Sequence, residues 1–148
     1  MKHAALRGCA VLAVLLLPCL VAAECLEGDC RNGKGVLVQK DGRRYQGEFS
    51  NGIISGIGTL TLPGGITYTG QFKDGRYHGV GRITGPKGFS YEGGFRDNLF
   101  SGKGNLVRGD GTQYTGEFES GLFHGQGILF YPDGREYQGS FLGNTVDG

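Results

Sequence analysis

Five tyrosines stand at one fixed spacing in this chain: Tyr45, Tyr68, Tyr91, Tyr114 and Tyr137, each 23 residues after the last. Five phenylalanines, Phe49, Phe72, Phe95, Phe118 and Phe141, keep step four residues behind. A glycine lies midway in each pair, at Gly47, Gly70, Gly93, Gly116 and Gly139. A period of this length marks a repeat array, in which each unit is one supersecondary element that buries its apolar side against its neighbours. Arrays present extended surfaces, so function is sought on a surface before it is sought in a pocket.

Each unit continues with a Gly-x-Gly pair: Gly33/Gly35, Gly56/Gly58, Gly79/Gly81, Gly102/Gly104 and Gly125/Gly127. Two residues further on comes an aliphatic ladder of Leu37, Leu60, Ile83, Leu106 and Leu129. Spacing within the unit is two. In Tyr45-Gln46-Gly47-Glu48-Phe49 the rings and the glycine share one face, and Gln46 and Glu48 share the other. In the second segment Gly56, Gly58 and Leu60 share a face, opposite Thr59 and Thr61. Such alternation reads as strands with one buried face. A helix would carry several interior glycines, each costing about 1 kcal/mol relative to alanine. Glycines on the ring face leave room for a ring from the neighbouring strand to lie flat on the backbone.

Two turns alternate along the array. One carries Gly42, Gly65, Gly88, Gly111 and Gly134, with Asp41, Asp110 and Asp133 forming Asp-Gly pairs, a strong hairpin signal. The other carries Gly52, Gly75, Asn98, Gly121 and Asn144, and asparagine is the replacement expected where φ is positive. The fold expected is all-β, an elongated single-layer antiparallel meander of hairpin repeats with ten strands, roughly 45 Å long at about 4.8 Å per strand.

Tyr68-Thr69-Gly70-Gln71-Phe72-Lys73-Asp74-Gly75-Arg76-Tyr77-His78-Gly79-Val80-Gly81 resembles the MORN repeat (membrane occupation and recognition nexus), and so does Tyr114 to Gly127. The resemblance runs over about residues 30 to 148, with asparagine at Asn98 and Asn144 in the turn. It implies an elongated, often curved sheet. It also implies a scaffolding, dimerising or membrane-proximal role in an exported bacterial setting, without naming a ligand.

The start of the chain lies outside the array. Lys2 and Arg7 precede an uncharged, mostly apolar stretch from Cys9 to Ala23 that ends in Val21-Ala22-Ala23. This pattern predicts a secretory signal peptide cleaved after Ala23, and it is shorter than the roughly 20 residues that span a bilayer. Lipidation is disfavoured, because Cys25 follows Glu24 and Cys19 follows Pro18. The organisation expected is a signal peptide over 1–23, an N-terminal cap and half repeat over 24–44, four full repeats over 45–136, and a C-terminal half repeat over 137–148. The location expected is periplasmic or secreted. In such a compartment Cys25 and Cys30, five residues apart, are expected to form a disulfide.

Fifteen basic residues less Lys2 and Arg7 leave 13 against 14 acidic, a net of −1 for the segment after Ala23. With no basic stripe, nucleic acid is not an expected partner. His78 and His124 share one repeat position two units apart, about 19 Å along the sheet, too far to hold one metal. Glu48 and Glu117 likewise share a repeat position, and Asp41, Asp110 and Asp133 are turn formers. No catalytic residues, cofactor, metal or small-molecule substrate are expected. The function expected is a non-enzymatic exported scaffold that binds protein, itself or a membrane surface. The alternative is a cell-wall carbohydrate module with aromatic platforms, although this chain has no tryptophan. The candidate contact face is the ring set Tyr68, Tyr77, Tyr91, Phe100, Tyr114 and Phe123, left open because a single-layer sheet has no covering layer. Tyr77 and Phe100, near hairpin ends, are expected to be cheaper to replace than the tyrosines of the ladder.

Overall fold

The computed structural model describes residues 23–147; the signal-peptide expectation falls almost wholly on residues 1–22, outside those described. Twelve strands form one antiparallel sheet in strict sequence order. They are β1 (Ala23–Gly28), β2 (Lys34–Gln39), β3 (Arg44–Ser50), β4 (Ile53–Leu62), β5 (Ile66–Lys73), β6 (Arg76–Thr84), β7 (Ser90–Arg96), β8 (Leu99–Val107), β9 (Gln113–Glu119), β10 (Leu122–Phe130), β11 (Glu136–Leu142) and β12 (Thr145–Asp147). The meander is as expected, and β2 to β11 are its ten strands. The two extra strands lie at the edges. β1 has no residue of the repeat pattern, and β12 is three residues long. The Cys25–Cys30 disulfide ties β1 to the turn before β2, with Cα atoms 6.0 Å apart.

The turn chemistry explains the connections. Between β5 and β6, Asp74 and Gly75 have φ of 51° and 76°, and between β7 and β8 Asp97 and Asn98 have 49° and 70°. Two consecutive left-handed residues match the right-handed twist of the flanking strands. Asparagine also links neighbouring hairpins: Asn98 Oδ1 accepts the Tyr77 N–H at 2.8 Å, and Asn144 Oδ1 accepts the Phe123 N–H at 2.8 Å. At the opposite tips Asp41, Asp110 and Asp133 accept the N–H two residues on, at 3.1, 2.9 and 3.1 Å. Those bonds favour the ionised form and hold all three carboxyls below the ordinary aspartate value.

The aromatic core lies on one face. Glycine pairs with glycine across the sheet without interruption, from Gly35 and Gly47 at one end to Gly127 and Gly139 at the other. The tyrosines lie over this ladder. A Cβ on Gly81, Gly104 or Gly127 would fall 2.6 Å from a ring carbon of Tyr68, Tyr91 or Tyr114 respectively. Tyr45, Tyr68, Tyr91 and Tyr114 each meet two phenylalanines of the ladder edge-on, as Tyr68 meets Phe72 and Phe95 with centroids 5.0 Å away in both cases, and Tyr137 meets Phe141 alone. Edge-to-face pairs of this kind each add about 0.5–1.5 kcal/mol beyond area burial. The tiling repeats with the period of the sequence, which is how one layer covers its own apolar face.

Candidate functional site

The ring face is closed. Tyr77, Phe100 and Phe123 stack flat on Tyr68, Tyr91 and Tyr114, with centroids 3.9, 3.7 and 3.8 Å apart. Tyr68 and Tyr91 are 0% exposed and Tyr114 1%. This differs from the expectation of a ring set left open as the contact face. Tyr68, Tyr91, Tyr114 and Phe123 are buried, while Tyr77 and Phe100 are half-buried lids rather than a free stripe. The physical reason is that each unit supplies its own cover, nine residues after its tyrosine.

A β-bulge in each even strand from β4 to β10 makes this cover fit. The register shifts beside Gly56, Gly79, Gly102 and Gly125, whose φ values are 61°, 67°, 71° and 55°. The two glycines of Gly-x-Gly therefore do different jobs: the second seats a ring, and the first is the left-handed bulge residue. The phenols complete the fit. Tyr68, Tyr91 and Tyr114 donate to the carbonyls of Gln71, Gly94 and Glu117 at 2.7, 2.8 and 3.0 Å. Burial pushes the phenols of Tyr45, Tyr68 and Tyr91 up to about 12.

The opposite face is open. The middle residues of Gly-x-Gly, Lys34, Ile57, Val80, Lys103 and Gln126, all point to it and pair by register with Glu48, Gln71, Gly94, Glu117 and Ser140. A parallel row holds Thr59 hydrogen-bonded to Thr69 at 3.1 Å and Arg82 near Glu92 at 3.9 Å. Between the rows runs the glycine backbone. Two shallow hollows result: one of about 620 Å³ bordered by Lys34, Gln46, Glu48, Ile57 and Thr69, and one of about 510 Å³ bordered by Val80, Glu92, Lys103, Thr115 and Gln126. Ile57 and Val80 are 62% and 67% exposed. A signal for this row was present in the sequence, since alternation sends the residue between two ring-face glycines outward, and two of these residues are aliphatic.

The bulges also shape this face. Glu48 Oε2 accepts the Ile57 N–H at 3.0 Å, and Gln71 Oε1 accepts the Val80 N–H at 3.0 Å. Each acceptor lies directly over the bulge glycine, and Glu117 reaches toward Gly125 in the same way. His78 and His124 face different acids, Asp97 at 3.9 Å and Glu119 at 3.4 Å, and do not meet each other. Among the described residues no group of three or more His, Cys, Asp or Glu side chains is arranged to hold a metal.

No curated protein matches the chain. The family pattern of the MORN repeat matches residues 45–67, 68–89, 91–113 and 114–134. These four consecutive matches cover more than half of the chain, and they coincide with the hairpins that carry the tyrosine seats, the stacked lids and the bulges. The chain belongs to the MORN repeat family.

Proposed function

We propose that this protein is a non-enzymatic exported scaffold that binds a partner protein through the open face behind its glycine ladder. MORN repeats suggest a scaffold that binds protein or membrane. One observation carries the choice of face: the ring face is consumed by its own core, while Ile57 and Val80 project from the opposite face beside the two hollows. Apolar side chains rimmed by polar ones are the anatomy of a protein contact. The carbohydrate reading loses support because its platforms would be the ladder rings, which are covered. Export is supported by the basic start, the apolar run and Val21-Ala22-Ala23, together with a disulfide that persists in an oxidising compartment.

The test is photo-crosslinking in the native envelope, with a benzophenone amino acid placed at position 57, 80 or 103, or at the exposed tip positions 99 and 122. Adducts confined to the first three positions are expected. Adducts only at the tips would place the contact on the hairpin ends and contradict the reading. Intact mass of exported material checks the address, with a chain starting at Glu24 expected and one retaining residues 1–23 against it.

A further inference from the structure

The third bulge differs from the others. Gly56, Gly79 and Gly125 are half-buried beneath Glu48, Gln71 and Glu117, whereas Gly102 is exposed and a Cβ built on it would meet no atom within 4 Å. The cause is one residue. Gly94 stands where the other three full repeats place a glutamate or glutamine, so no side chain reaches over Gly102. The chain itself shows what this position accepts, because in the first two bulges an oxygen of a carboxylate or amide side chain takes the N–H of the following residue at 3.0 Å. In the third unit the following residue is Lys103, where the two preceding units have Ile57 and Val80. Of the nearby acids, Glu117 is the register partner of Lys103 but leans over Gly125, where its Oε2 lies 2.6 Å from the Cβ position, and Glu92 lies 3.9 Å from Arg82. An ammonium group and a bulge open to solvent together select a carboxylate.

We propose that the third bulge receives an aspartate or glutamate side chain from a partner segment lying across the strands in the polyproline-II conformation. This rests on the protein-binding reading of the open face. Ile57, Val80 and Lys103 lie on alternate strands, about 9.6 Å apart at ~4.8 Å per strand, and a polyproline-II segment advances about 3.1 Å per residue with about three residues per turn, so every third side chain returns to the same side. Successive repeats therefore meet every third residue of the segment. The recognised pattern is apolar-x-x-apolar-x-x-acidic, in one chain direction or the other, with the apolar residues on Ile57 and Val80 and the acidic residue at Lys103.

The probes are fluorescein-labelled Gly-Leu-Ser-Thr-Val-Ser-Thr-Glu-Gly, the same sequence in reverse order, and the glutamine form of each, titrated against the full mature chain. Anisotropy gives affinity, and the amide shifts of a nitrogen-15 sample locate the contact. One order is expected to bind, with the glutamate form about tenfold tighter than the glutamine form and with the Lys103 amide moving. Lys103→Glu, at an exposed position, should abolish that preference. If both forms bind alike, the Lys103 amide is unmoved, and Ile57→Ser with Val80→Ser weakens both, then the acidic anchor is overturned and the protein-binding face stands. If no probe binds, or binding ignores the double substitution, both are overturned.

Discussion

At the scale of single residues, the ladder glycines act by absence of volume and the turn glycines by backbone angle. Substitutions separate the two. Gly81→Ala would place a methyl 2.6 Å from the Tyr68 ring, so the ring must leave its seat. A loss of about 3 kcal/mol is expected from urea unfolding. Gly134 has open space but a φ of 89°, so Gly134→Ala should cost only about 1 kcal/mol. Equal losses would mean that the rings yield easily. The phenols give a second readout. Their folded pKa lies above the unfolded value, so the stability linked to protonation is fully present below about pH 10 and is lost as pH rises toward 12. Absorbance at the phenolate band should show Tyr45, Tyr68 and Tyr91 ionising only near pH 12, as the fold opens. The seats were legible in the sequence because glycine and ring share a parity. The bulge was not, because a left-handed glycine inside a strand breaks that parity without leaving a mark in the composition.

At the scale of the hairpin, the stacked lids decide what the ring face can do. Phe100 lies 3.7 Å from Tyr91 centroid to centroid and also meets Phe95 and Phe118 edge-on. Phe100→Ala should therefore cost about 3–5 kcal/mol, in the range of a core phenylalanine. That reverses the expectation that hairpin-end rings are cheap to replace. Period and alternation place Tyr91 and Phe100 in the same unit, but the register shift that brings one over the other belongs to the three-dimensional pairing. The edge strands were hidden for a different reason: β1 and β12 are held by pairing and, for β1, by the disulfide, with no repeat motif to announce them. Cys25→Ser with Cys30→Ser should leave β5 to β9 unaffected. It should speed amide exchange in Ala23–Gly28 at least tenfold, read by mass spectrometry, and unchanged exchange there would show that pairing alone holds the strand.

At the scale of the whole molecule, twelve strands in sequence order give contacts that are almost all between neighbours. Such arrays open from their ends, because an end unit has one neighbour and an interior unit two. Amide protection should peak in β5 to β9 and fall toward both edges, and a uniform profile would indicate stronger coupling than neighbour contacts supply. The repeat, the meander and the disulfide were all readable from residue spacing. Which face stays open was not, because alternation sorts side chains into two sets without saying which set closes on itself. The division of the sheet into a sealed ring face and an open glycine-backed face is tested most directly by hydroxyl-radical footprinting of the free mature chain, with the exposed Phe130 as the accessible aromatic reference. Tyr68, Tyr91 and Tyr114 should be protected while Ile57 and Val80 oxidise freely. Labelling of Tyr91 at the rate of Phe130, with Ile57 and Val80 protected, would contradict it.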